Sequence, residues 1–262
     1  MKKLIYAFIA LIFIFSSCSE DSESSSNEEI LMQEGTLVRR MVGQRGSDTE
    51  TIDFNYSHGN KLKSTITNDG FKNLYTYTKD LITQRKHYEP DGDIIEDTYS
   101  YDDQKRMIQR KRILYGETVY RADFVYNSDN TVDVLRYQEF SNEPDQQIAK
   151  KKVFLFPNGD VQKIVEYLVV NGENHTKTYM FSYDDKNDAT NAILGYNKVK
   201  LWDTVEVLGT HNCVTFELFS SVHGGTSLET NYTFTYNSFG YPMTREDDLD
   251  EAYSLSVKYF YQ

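Results

Sequence analysis

Proline, cysteine and tryptophan are scarce in this chain: four, two and one among 262 residues. So few prolines, alongside 21 tyrosines and 15 phenylalanines, suit an all-β chain, and no segment carries a convincing helical period. Positive charge is also short, with 28 basic against 40 acidic residues. That balance excludes nucleic acid as a partner, because affinity for it depends on neutralising phosphates. The apolar run Leu4 to Phe15, twelve residues after Met1-Lys2-Lys3, is too short to span a bilayer as a mature helix. Missing altogether are a Gly-x-Ser-x-Gly elbow, a phosphate loop and a His-Glu-x-x-His pair. No catalytic residue, cofactor or metal is therefore expected, although a pair of carboxylates leaves no local motif and stays open.

What is abundant is a repeat. Tyr99-Ser100-Tyr101-Asp102-Asp103-Gln104-Lys105-Arg106-Met107 shows it most clearly, followed by Phe124 to Val132, Phe181 to Asn187 and Phe234 to Tyr241. Alternate aromatics place two rings on one face of a strand. The Asp or Asn after them can accept from its own backbone two residues on, and Asn130, Asn187 or Gly240 can take the left-handed conformation that closes a hairpin. Weaker copies end at Tyr56, Tyr77 and Phe156, with Tyr259 as a last relaxed one. The second aromatics are 21 to 30 residues apart except for one gap of 53, which is read as about two units with Phe216 between them. A period in the mid-twenties holds two strands and two turns. Asn-Gly at 158 and 171, Asp-Gly at 69 and Pro90-Asp91-Gly92 add hairpin signals at the same spacing. The predicted fold is an antiparallel up-and-down meander of about 14 strands. It is rolled into a soluble barrel or a strongly curved half-barrel, since so wide a sheet rarely stays open. A membrane barrel is disfavoured: along Arg106 to Leu114 neither face is free of charge, and mid-bilayer charge costs about 2 to 4 kcal/mol each.

Tyr-Asp-Asp-Gln-Lys-Arg-Met at 101 to 107 resembles the tyrosine-aspartate repeat of RHS shell proteins. The array after residue 35 also resembles uncharacterised Bacteroidota lipoproteins described as having a porin-like β fold. RHS shells enclose a toxin, but this chain ends at Tyr261-Gln262 directly after its last strand, so the resemblance implies no cargo. Phe15-Ser16-Ser17-Cys18 resembles a bacterial lipobox, which makes residues 1–17 a lipoprotein signal peptide and Cys18 the acylated mature N-terminus. Removing 1–17 takes away two lysines and no acidic residue, moving the net charge from −12 to −14. Only Cys213 then remains, so no internal disulfide is expected. Ser19-Glu20-Asp21-Ser22-Glu23 resembles the surface-export signals of Bacteroidota lipoproteins. The Ser-rich, acidic stretch 18–34 reads as a disordered tether, its eleven most polar residues spanning roughly 18 Å. Residues 35–262 form a single domain.

Candidate chemistry is sparse. Arg85, Lys86, Arg110, Lys111 and Arg112 recur at matching places in two units and are expected to pair with acidic residues on a solvated face. Acidic clusters such as Asp91-Gly92-Asp93, Asp102-Asp103 and Asp184-Asp185 fit turn chemistry better than calcium. His211-x-Cys213 with His223 lacks a fourth zinc ligand. Residues 189 to 231 break the meander, and in this stretch Tyr196, Trp202, His211 and His223 are the candidate ligand-binding residues, with Trp202 alternatively a core residue on one of two ordinary strands. The reading that results is an outer-membrane lipoprotein, exposed at the cell surface or facing the periplasm. It is bound to the membrane through its lipid anchor, and it is a non-catalytic module for a glycan or a surface protein. A carboxylate-dependent glycan-processing enzyme and a periplasmic carrier of an apolar ligand are the alternatives.

Overall fold

The computed structural model describes residues 34–140, 143–200, 209–222, 225–250 and 254–262. Cys18 and the segments 1–17 and 18–33 lie outside the described residues. Strands run Val38–Arg45 (β1), Asp48–Tyr56 (β2), Leu62–Thr67 (β3), Lys72–Thr78 (β4), Leu81–Tyr88 (β5) and Ile94–Tyr101 (β6). Met107–Leu114 (β7), Glu117–Tyr126 (β8), Thr131–Phe140 (β9), Glu143–Leu155 (β10), Val161–Val170 (β11) and Glu173–Asn187 (β12) follow. A helix, Tyr196–Lys200 (α1), precedes His211–Ser220 (β13), Thr226–Tyr236 (β14), Pro242–Asp247 (β15) and Ser256–Tyr261 (β16). All pairings are antiparallel between sequence neighbours, and β16 returns to β1, giving a closed up-and-down barrel of 16 strands.

The up-and-down meander is the predicted fold, closed as the barrel and not left as the half-barrel, with 16 strands where about 14 were expected. Each even strand from β2 to β16 carries one aromatic pair near its end, so eight copies mark eight successive strand pairs, β1–β2 to β15–β16. The wide gap holds one hairpin, β13–β14, and an excursion between Asn187 and His211. Phe216 therefore marks no further unit and sits mid-way along β13. In the last copy the second ring is Tyr261, two residues beyond Tyr259.

The repeat works through three coupled devices. At the turn, Asp102 Oδ1 accepts from the Gln104 and Arg106 amides (3.0 and 2.9 Å), and Asn237 Oδ1 accepts from Phe239 and Tyr241 (3.0 Å each). Lys105, Asn130 and Gly240 then take positive φ, at 58°, 59° and 76°. Asn187 does not: its copy releases the excursion instead of closing a hairpin, and the residue stays in β12. Directly after most turns the incoming strand bulges. Tyr56 faces Leu62 while Asn55 faces Ser64, and the same skip recurs at Tyr77, Tyr101, Leu155 and Tyr236. The apolar residue opposite the bulge (Leu62, Ile82, Met107, Val161 or Pro242) is fully buried.

The third device is the second ring's hydroxyl. Tyr56 donates to the Val38 carbonyl (2.5 Å), Tyr101 to Ile82 (2.6 Å), Tyr183 to Val161 (2.9 Å) and Tyr261 to Pro242 (2.7 Å). Each thereby satisfies a carbonyl at the start of the neighbouring strand, worth about 1 kcal/mol net, and the ring itself contributes about 1.5 to 3 kcal/mol by burial. Burial pushes the phenol of Tyr77 up to about 12, and that of Tyr126 likewise.

Charge is carried outward on the same strands. Arg40 pairs with Asp53 across β1 and β2, and Arg121 on β8 reaches Glu139 (2.7 Å), Asp145 (2.8 Å) and Asp123. Lipid would penalise such a belt by about 2 to 4 kcal/mol per mid-bilayer charge.

Candidate functional site: the plugged lumen

Sixteen strands enclose a bore too wide for wall side chains to fill, which is why membrane barrels of that size hold water channels. Here the excursion after β12 turns into the bore at the tyrosine end. Asp188 opens it, accepting from the Thr190 amide (2.9 Å). Ala189, Ile193 and Val199 are buried, so the segment fills the bore with apolar side chains. The segment crosses to the far wall, where the Leu194 amide donates to the Asn60 carbonyl (3.1 Å), Asn60 Nδ2 to the Ala192 carbonyl (2.9 Å) and Tyr77 Oη to the Leu194 carbonyl (3.2 Å). Gly195 passes so close to β5 that a Cβ there would sit 2.6 Å from the Asp80 carbonyl oxygen, at φ +69°. The one-turn helix α1 follows; five residues are too few to show a helical period in the sequence. It ends on Lys200, buried, with Nζ 2.5 Å from Asp188 Oδ1 and 3.1 Å from Thr190 Oγ1. That ion pair staples the two ends of the described segment together.

The returning chain is fixed by Asp160, fully buried at the turn between β10 and β11. Its Oδ1 accepts from the Thr210 amide (2.7 Å), and its Oδ2 lies 2.6 Å from His211 Nδ1. Gly209, at φ +149°, lies so close against the Asp160 carboxylate that no Cβ would fit.

Two cavities flank the segment and share Met41, Ile52 and Thr190. One, of about 250 Å³, is walled by Ala189, Cys213, Phe234, Leu255, Val257 and Tyr259, with Arg245, Glu50, Asp188, Thr190, His211 and Asn212 as polar members. The other, of about 300 Å³, is lined by Phe54, Tyr75, Arg85, Tyr196, Val199 and Lys200 among others. Burial pushes the Cys213 thiol up to about 12, and its Sγ lies 3.3 Å from the Thr215 carbonyl, a protonated thiol donating.

Beyond the tyrosine belt the inner wall turns charged. Asp97 is fully buried and accepts from three guanidinium groups: Arg85 Nη2 (2.6 Å), Arg110 Nε and Nη2 (3.2 and 3.0 Å) and Arg112 Nε and Nη2 (3.0 and 3.2 Å). Burial alone would raise its pKa, but Arg112, Arg110 and Arg85 together hold it far below the usual carboxylate range. Next along the wall, Lys151 Nζ meets Glu166 at 3.1 Å, and Tyr179 Oη donates to the same carboxylate (3.1 Å). The expected pairing of the basic stripe is present, but for Arg85, Arg110 and Arg112 on the inside of the barrel. The bulge after Met107 skips one residue and reverses the phase of β7, so Arg110 and Arg112 share the inner face with Met107. Lys86 stays outside, paired with Glu96.

Of the candidate ligand-binding residues, Tyr196 is turned inward, edge-on to Tyr75 with ring centroids 6.0 Å apart. His211 lines the first cavity while bonded to Asp160. The two therefore belong to different cavities. Trp202 and His223 lie outside the described residues, as do the two strands foreseen around Trp202. Among the described residues no group of three His, Cys, Asp or Glu side chains is placed to hold a metal ion. The sequence reading missed Asp97, Lys200 and Arg245; only the recurrence of Arg two residues apart in β7 hinted at the first of these sites.

No protein-family model and no curated protein matches the chain. Among solved structures, a porin-like protein from Bacteroides uniformis superposes with a TM-score of 0.51 at 13% identity, covering 86% of this chain and 98% of that one. The two share a fold. Two further structures, TcdB2-TccC3-TEV and TcdB2-TccC3-Cdc42, are 9% and 12% identical and reach TM-scores of only 0.31 and 0.34, over 13% and 12% of their lengths.

Proposed function

We propose that this protein is a non-catalytic binding barrel of the bacterial envelope, hung from the outer membrane by an acylated Cys18 and the polar tether 18–34, which holds a small ligand inside its lumen. The observation that carries the reading is the pair of cavities left between the inner wall and the segment Asp188–Lys200. A compact, largely apolar molecule suits them better than a glycan chain, because Tyr196, a residue suited to stacking on a sugar, packs into the interior. The carboxylate-enzyme alternative loses support: Asp97, Glu166, Asp188 and Asp160 are each engaged by a cation, an imidazole or a backbone amide. A ligand-loaded, lipid-tethered barrel also agrees with the porin-like fold of its Bacteroides neighbour and with the charged outer wall. Organic extraction of the protein isolated from native membranes should release a compound that is absent from the variant Ala189→Phe isolated in the same way. Identical extracts from the two folded proteins would sink the reading. Mass spectrometry of the N-terminal peptide and protease shaving of intact cells test the anchor at Cys18 and the surface address.

A further inference from the structure

The first cavity contains a cation without a counterion. Arg245 projects from β15 into it, with its guanidinium carbon 5.2 Å from the centroid of the Tyr232 ring. Its Nε is buried and has no hydrogen-bond partner, and no carboxylate pairs with Arg245 among the described residues. Two carboxylates, Asp188 and Glu50, also line the cavity, and neither pairs with Arg245. Asp188 is taken by Lys200 and Thr190. Asp247 accepts from the Leu249 and Leu255 amides (3.4 and 2.9 Å), and Glu50 is an exposed residue on β2. A guanidinium in an apolar wall with no carboxylate partner is costly, and Arg85, Arg110 and Arg112 show how this barrel neutralises such groups: Asp97 serves all three.

We infer that the Arg245 cavity is a binding site for a small amphipathic carboxylate, its head on the guanidinium and its apolar body against Met41, Phe234, Leu255 and Val257. The inference rests on the lumen-binding reading above and narrows it to a ligand class. Guanidinium matches the two oxygens of a carboxylate in a paired geometry that also fits phosphate. The walls decide between them, because a phosphate would find no lysine or second arginine among the cavity's lining residues, whereas an apolar tail finds Met41, Ile52, Ala189, Leu255, Val257 and Phe234. Size limits the body: about 250 Å³ holds roughly eight waters at about 30 Å³ each, which corresponds to a ligand of about ten non-hydrogen atoms.

Octanoate is a suitable probe and octanol its neutral counterpart, titrated calorimetrically into the mature chain carrying Cys18→Ala, which needs no detergent. Octanoate should bind the parent more tightly than octanol. In Arg245→Met its affinity should fall about ten- to a hundred-fold, the worth of one charge-assisted hydrogen bond, while octanol binding changes by less than about twofold and so reports that the cavity is intact. Arg245→Lys should retain most of the preference for the anion. Equal binding of octanoate and octanol to the parent would overturn the carboxylate assignment and leave a lumen-binding barrel standing. Binding of neither would overturn the inference, and the extraction experiment would then judge the wider reading alone. Inorganic phosphate competing with octanoate at similar concentrations would also overturn it.

Discussion

At one end of the bore Tyr56, Tyr101 and Tyr183 lie among buried aliphatic side chains with every hydroxyl spent on a strand-start carbonyl. About 13 Å back along β6 from Tyr101, Asp97 sits between three arginines, and Arg136 on β9 carries an Nε with no hydrogen-bond partner. Both regions are buried and both belong to the same repeat. The first gains stability from every group it encloses, because ring and hydroxyl are each satisfied on the spot. The second encloses more positive charge than it neutralises, an arrangement that costs desolvation and is sustained by the rest of the fold. A wall built only for stability would continue the first pattern.

The largest expected effect comes from removing the single carboxylate of the charged region. Asp97→Ala leaves three guanidinium groups facing one another and should cost about 3 to 5 kcal/mol in urea unfolding; a loss below about 1 kcal/mol would show the arginines to be well solvated. The same residue sets the acid limb. Its folded pKa is depressed, so its contribution is present above the unfolded value of about 4 and fades as pH falls from there toward the folded value. Asp97→Asn should therefore flatten the loss of stability below about pH 4.

In the tyrosine belt the expected effects are smaller and local. Tyr183→Phe removes one hydroxyl from the Val161 carbonyl and should cost about 1 kcal/mol; no change would mean that water replaces the bond. At the alkaline side the sign reverses. Tyr77 and Tyr126 titrate near 12 in the fold against about 10 unfolded, so their contribution is complete below about pH 10 and is lost as pH rises through 12. Spectrophotometric titration should show the belt tyrosines ionising together with unfolding. The smallest effect is at a turn: Lys105 holds a φ of +58°, and Lys105→Gly should gain about 0.5 to 1 kcal/mol.

Much of this was legible in the sequence. Ring-x-ring followed by Asp or Asn gave the hairpins, their turn chemistry and the meander, because alternation and local hydrogen bonding act over a few residues. Two things were not. The inward course of Arg110 and Arg112 depends on a bulge after Met107, and a bulge shifts phase without leaving a residue type behind. The path of residues 188 to 200 depends on long-range partners, Asn60, Tyr77 and Asp80, more than a hundred positions away, so the sequence showed only a break in the meander and not an internal filling. Arg245 was illegible for the same reason, since its isolation is a property of what surrounds it.

The seam between β1 and β16 joins the first described strand to the last, with the Gly35 amide on the Gln262 carbonyl and the Gln262 amide on that of Leu37. During synthesis β1 therefore waits until β16 has been made before its outer row of amides and carbonyls is covered. In that interval two incomplete copies would offer each other the same exposed margin, and exchange of terminal hairpins between them would satisfy every bond that closure satisfies within one chain. Late closure makes the unfinished barrel, and not the finished one, the form in which this protein is most in need of protection.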